Sequence, residues 1–348
     1  MRSVAGSIKT RGVVLALGAG AAVAGIAVQR RHLQTIARDP AYAELTRPRR
    51  GRAIEARSVD GTRIHVEIFN EGGSGPLVVL AHGWTEQLAI WGPVIDLLSA
   101  AGLRTVAYDL RGHGRSELAA DEDYALERFG EDVEAVLGAV MPAGERAILA
   151  GHSLGGMAIA AWARDHEVGA RIRAAALINT GLVDLVTGHL LFGEVASRFN
   201  SRLAGRLFLG VSAPLPAFSS PVAHSLIRHA AFGPSADLAQ IAFYERMLLD
   251  TPPKVRGACG AAMADMDLLD AAGRLDVPTL VVAGDRDRLT PPAQARRIAD
   301  RLPQPAGLVE LEQTGHMSLL ERPRELSGAL LELVRATSSA DSRAALTK

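Results

Sequence analysis

The chain has almost no cysteine and no surplus of either charge, and both absences narrow what it can do. Cys259 is the single cysteine in 348 residues, so neither an intrachain disulfide nor a thiolate metal cluster can form. It lies in the small-residue run Gly257-Ala258-Cys259-Gly260-Ala261-Ala262, where a buried packing role is expected. Lys and Arg together number 38 and Asp and Glu 38, for a formal net charge of zero. With no basic stripe interleaved with aromatics, there is no electrostatic case for a nucleic-acid partner. A neutral or apolar substrate is expected instead.

What is present points to a large globular core, because 48% of the residues are hydrophobic and only 22% charged, which excludes global disorder. The amino terminus differs from the rest. Gly12 to Val28 is an uncharged run of mostly Ala, Gly, Val and Leu, with Lys9 and Arg11 before it and Arg30 and Arg31 after it. As a helix it would reach ~25 Å, slightly short of a ~30 Å hydrocarbon core. The arginines beyond it favour a retained membrane anchor over a signal peptide cut near Ala22-Val23-Ala24. Association with a membrane or the cell envelope through residues 12–28 is therefore expected. Arg47-Pro48-Arg49-Arg50-Gly51-Arg52 reads as a solvated basic linker that ends the amino-terminal segment, residues 1–52.

From residue 53 the pattern becomes that of an α/β domain. Ile54–Ser58 and Arg63–Phe69 alternate around Asp60-Gly61, predicting a hairpin at an antiparallel edge. Leu77–Ala81, Thr105–Tyr108, Ala147–Ala150, Ala174–Asn179 and Thr279–Ala283 are short apolar runs of the kind covered on both faces. Helical periodicity fills Ile90–Ala101, Ala125–Val140, Pro291–Arg301 and Pro323–Arg335. Such alternation predicts a doubly wound, mostly parallel sheet, with the core in residues 53–181 and 274–336. It stops over residues 182–273, a stretch broken by Pro214, Pro216, Pro221, Pro234, Pro252 and Pro253 and rich in phenylalanine. A helical cap over the sheet is expected there. The Ser- and Ala-rich tail, residues 337–348, is expected to be disordered.

The chemistry is concentrated in Gly151-His152-Ser153-Leu154-Gly155-Gly156, which follows a predicted strand and leads into a predicted helix. In that context G-x-S-x-G marks a nucleophilic serine on a strained turn, with glycines where a β-carbon would clash. A serine hydroxyl needs a base, and the base an orienting acid. His316, in the loop after the strand Leu308–Leu311, is the candidate base, and Asp287, in the loop after Thr279–Ala283, the preferred acid over Asp285. His82 is expected to brace the loop after its strand and Asp109 to fix the turn that follows it. The oxyanion formed on attack needs N–H donors, for which the backbones of Leu154 and Trp84 are the candidates. No metal ligand set is recognised.

Taken together, His82-Gly83-Trp84, Asp109-Leu110-Arg111-Gly112-His113-Gly114-Arg115-Ser116, the serine motif, Gly284-Asp285-Arg286-Asp287 and Gly315-His316 resemble the signatures of the α/β-hydrolase family, in family order. The resemblance implies a Ser153–His316–Asp287 triad, an oxyanion hole at Trp84 and Leu154, no cofactor, and a cap. Epoxide hydrolases and haloalkane dehalogenases carry an aspartate where this chain has Ser153, which disfavours both. The expected activity is cleavage of a small apolar carboxylic ester. Alternatives are cofactor-free haloperoxidase-like chemistry, thioester or carbon–carbon bond hydrolysis, and a membrane-tethered binding protein without catalysis.

Overall fold

A computed structural model describes residues 25–185, 209–213, 215 and 219–346. The strands are β1 (Arg52–Arg57), β2 (Arg63–Phe69), β3 (Leu77–Ala81), β4 (Arg104–Tyr108), β5 (Ala147–His152), β6 (Ile172–Ile178), β7 (Thr279–Gly284) and β8 (Pro305–Leu311). They form one sheet in the order β1-β2-β4-β3-β5-β6-β7-β8. The predicted hairpin is the antiparallel edge: β1 pairs with β2, and β2 lies antiparallel to β4. From β4 to β8 every pairing is parallel. Parallel strands point their carboxyl ends the same way, so the loops after β3, β5, β7 and β8 share one edge.

Alternation within the buried strands builds a core on each face of the sheet. Val79 and Ala81 of β3 join Phe129 of α1 (Leu126–Val140) and Trp162 of α2 (Leu154–Asp165), while Val78 and Leu80 face Trp91, Leu98 and Leu330 on the other side. Truncating a fully buried aromatic such as Phe129 in such a packed layer costs about 3–5 kcal/mol. The final helix, α3 (Pro323–Leu346), packs on this second face through Leu326, Leu330 and Leu333.

Two expectations are corrected here. The tail is not structureless from residue 337, because α3 runs on through Leu346. Thr337 is buried and its hydroxyl donates to the Leu333 carbonyl, Ser338 does the same to Val334, and the alanines that follow are strong helix formers. The basic linker is not simply solvated either. Arg47 and Arg49 both reach Asp96, with Arg49 Nη2 at 2.8 Å and its side chain only 9% exposed.

The run 12–28 lies outside the described residues except for its end, where residues 25–37 form a helix. Among the described residues no helix is long and apolar enough to cross a membrane. Between β6 and β7 the chain leaves the sheet for α4 (Pro221–Ala231), α5 (Leu238–Asp250) and α6 (Pro253–Ala264), the described part of the expected cap. Phe192, Phe199, Phe208, Pro214, Pro216 and Phe218, which shaped that expectation, lie outside the described residues.

Candidate active site

Ser153 occupies the turn between β5 and α2 with φ +50° and ψ −116°, a conformation that side-chain-bearing residues adopt only when their surroundings impose it. Here its N–H donates to the Ile178 carbonyl at 2.9 Å, and its own carbonyl accepts from the Thr180 hydroxyl at 2.8 Å. The turn is tight because α2 lies close against β3. A β-carbon on Gly155 would stand 2.3 Å from the Ala81 carbonyl oxygen, so glycine is required there. Cys259 is fully buried in the core, as a packing residue would be.

Asp287 and His316 come together from the loops after β7 and β8. His316 Nδ1 lies 2.8 Å from Asp287 Oδ2, which also accepts from Asn179 Nδ2 at 2.9 Å and Thr290 Oγ1 at 2.8 Å. The other carboxylate oxygen accepts the backbone N–H groups of Leu289 and Thr290. Burial pushes the Asp287 carboxyl up, but His316 and these hydrogen bonds outweigh it and hold it below the usual carboxylate range. A charged Asp287 fixes the proton of His316 on Nδ1 and leaves Nε2 as the basic atom. Asp285 has a different task, accepting the Thr314 N–H at 3.1 Å in the turn before the histidine.

The remaining candidates lie on the loops after β3 and β4 and at the start of α2. His82 donates from Nδ1 to the Gly83 carbonyl at 2.8 Å and accepts the Leu110 N–H on Nε2 at 2.9 Å. His113 donates from Nδ1 to the Arg111 carbonyl and accepts the Thr85 N–H. Burial drives both to the neutral form, His82 down to about 3 and His113 to about 4. The peptide joining Gly83 to Trp84 therefore has its oxygen held by His82 and by the Glu86 N–H at 3.3 Å. Its N–H, on Trp84, points the opposite way and meets no other loop or side-chain acceptor among the described residues. Leu154, first in α2, also presents an N–H that a helix start leaves free. Asp109 does more than fix its own turn, since it accepts the N–H of both Leu88 and Arg115.

The insertion after β6 rests on these loops. The Trp84 indole donates to the Arg256 carbonyl at 3.1 Å, and the Thr85 and Tyr244 hydroxyls are 3.0 Å apart. The His316 N–H donates to Ala231, and Glu321 accepts N–H groups from Gly233 and Gly315. A cavity of about 430 Å³ lies between the helix of residues 25–37 and the insertion, lined by Leu33, Ile36, Leu215, Leu249 and Arg256 among others. Asn179, Thr290, Glu86 and Glu321 went unnoticed in the sequence. Thr290, three positions after the acid, is the one that spacing offered, since hydroxyl residues commonly close such acidic turns.

The comparisons agree with this architecture. The α/β-hydrolase fold profile matches residues 76–323. The non-heme chloroperoxidase of Streptomyces lividans is 29% identical over 287 residues, covering 79% of this chain and 97% of the relative. The pimeloyl-[acyl-carrier protein] methyl ester esterase of Aeromonas hydrophila is 28% identical over 269 residues, with coverage of 75% and 95%. Among solved structures, an esterase from Rhodococcus sp. ECU1013 superposes with a TM-score of 0.66 at 25% identity, covering 82% of this chain and 99% of that one. Sheet order, strand-end loops and sequence thus converge, and the chain belongs to the α/β-hydrolase fold family.

Proposed function

We propose that this hydrolase-fold protein is a serine hydrolase that cleaves carboxylic esters of apolar acyl groups through an acyl-enzyme. The observation that carries the reading is the 2.8 Å contact between His316 and Asp287 at the sheet edge that also bears Ser153 on its strained turn. Ser153 Oγ attacks the ester carbonyl as its proton passes to His316 Nε2. The oxyanion is met by the N–H groups of Trp84 and Leu154. Collapse expels the alcohol, which takes the proton from His316, and water then repeats the sequence to release the acid.

An apolar acyl group is supported by the zero formal net charge of the chain, which gives no electrostatic pull on a charged substrate, and by the methyl ester esterase relative. A series of p-nitrophenyl esters from acetate to palmitate tests the reading. Hydrolysis rising with acyl length is expected, whereas resistance of the whole series with Ser153 intact would refute it. The chloroperoxidase relative favours a second reading, peroxide-dependent halogenation on the same residues. Chlorination of monochlorodimedone faster than ester hydrolysis would select it.

We also propose that residues 12–28 hold the protein at a membrane. The run leads into the helix of residues 25–37, which keeps Ile26 55% and Val28 57% exposed. The protein should stay in the membrane pellet after alkaline carbonate washing and leave it when residues 1–24 are removed. Release of the intact chain would count against the anchor.

A further inference from the structure

Beside the proposed triad lies a second histidine–carboxylate pair. Glu86 and His152 are 1% and 0% exposed, and the His152 Nδ1 is 3.0 Å from Glu86 Oε1. Glu86 Oε2 also accepts the Gly83 N–H at 2.6 Å. His152 Nε2 lies 2.9 Å from the carbonyl oxygen of His316, and the two imidazole rings are 4.9 Å apart. The close approach depends on Gly83, where a β-carbon would stand 3.0 Å from both carboxylate oxygens and from His152 Nδ1.

The protons can be counted from the partners. A carbonyl only accepts, so His152 Nε2 carries a proton; a second proton lies between Nδ1 and Glu86, and the attraction between the two groups places it on Nδ1. His152 is then an imidazolium, unlike His82 and His113, which each use one nitrogen as an acceptor. Burial raises the Glu86 carboxyl and lowers the His152 imidazole, but their mutual attraction wins, leaving Glu86 below and His152 above its ordinary value.

We infer that Glu86 and His152 act as one positioning unit that ties the loop presenting the Trp84 N–H to the loop carrying His316. This rests on the serine-hydrolase reading. Neither residue touches the reacting atoms. Glu86 holds the peptide just before the oxyanion donor, and His152 holds the backbone of the base from the position preceding the nucleophile. The ion pair between them keeps donor and base in one frame, and an orientation error in either is felt at the transition state more than in substrate binding.

The test combines kinetics with spectroscopy on the full chain. A glutamine at position 86 carries no charge to hold the His152 imidazolium, so Glu86→Gln should lower kcat about 10- to 100-fold, below the ~10²–10³ loss of a whole oxyanion donor, with KM within about twofold. His152→Asn should do the same, and the double variant should be no worse than the poorer single one. In the native protein, ¹⁵N spectra should show both His152 ring nitrogens protonated from pH 5 to 9, a readout that needs no variant to fold. The proposal is overturned by a His152 that is neutral in that range, by single variants that keep kcat within twofold, or by losses that multiply in the double variant. A native chain that takes up no fluorophosphonate at Ser153 would instead overturn the serine-hydrolase reading.

Discussion

Two clusters among the described residues each combine histidine, carboxylate and serine, and they differ in which ring nitrogens are engaged. At the sheet edge Asp287 holds His316 Nδ1 at 2.8 Å, and Nε2 has no partner among the described residues. Under the insertion, His224 Nε2 faces both Glu245 Oε2 at 2.6 Å and Ser219 Oγ at 2.9 Å, while its Nδ1 faces His32 Nε2 at 2.7 Å. Serine and acid there compete for one nitrogen. No path leads from hydroxyl through imidazole to carboxylate, and the cluster serves to fasten the helix of residues 25–37 to α4 and α5. Residue types alone do not make a triad. Parallel strands bring Asp287 and His316 together from different loops, with the carboxylate on one ring nitrogen and the other left open among the described residues.

The comparison breaks most visibly at the two serines. Ser153→Ala should lower kcat on p-nitrophenyl butyrate by about 10⁴-fold or more. Ser219→Ala should leave it within about twofold, and an equal loss in both would erase the distinction. The acids come next. Asp287→Asn should lower kcat about 10³- to 10⁴-fold, because an amide no longer fixes the imidazole tautomer. Glu245→Gln should keep kcat and cost about 1–3 kcal/mol of stability, read as a lower melting temperature.

The smallest effect concerns pH. Burial, then repulsion from His224, lowers the His32 pKa, with Glu245 opposing. The unfolded chain therefore binds more protons than the folded one between the depressed value and the ordinary histidine range. Docking of the helix is worth most above that range and weakens as pH falls through it. Amide protection factors in residues 25–37 should fall between pH 8 and pH 5 more than those in α2, and His32→Gln should flatten the difference. An equal fall in both helices would show that His32 does not control docking.

Much of the frame was legible because buried parallel strands are written as apolar runs, and β3, β5, β6 and β7 were found where those runs lie. The strained turn at Ser153 was legible from its glycines, and the place of His316 from the strand before it. Asp285 and Asp287 were harder to separate, since both sit in one loop. The structure distinguishes them by facing, Asp285 toward the Thr314 amide and Asp287 toward the imidazole. Glu86 was invisible for a different reason. A glutamate in a polar loop reads as solvated, and only folding brings it to His152, 66 positions away. Asn179 likewise carries no periodic signal, because its contact with Asp287 joins loops 108 positions apart. The helix of the tail was not legible, because Ser- and Ala-rich composition reads as disorder and the burial of Thr337 exists only in the fold.

Fluorophosphonate labelling of the native chain beside Ser153→Ala asks whether Ser153 is an activated nucleophile. One label is expected on the native protein, lost at pH values that protonate the histidine base and absent from the variant. Equal labelling of both proteins, or none on a folded native chain, would contradict an activated Ser153.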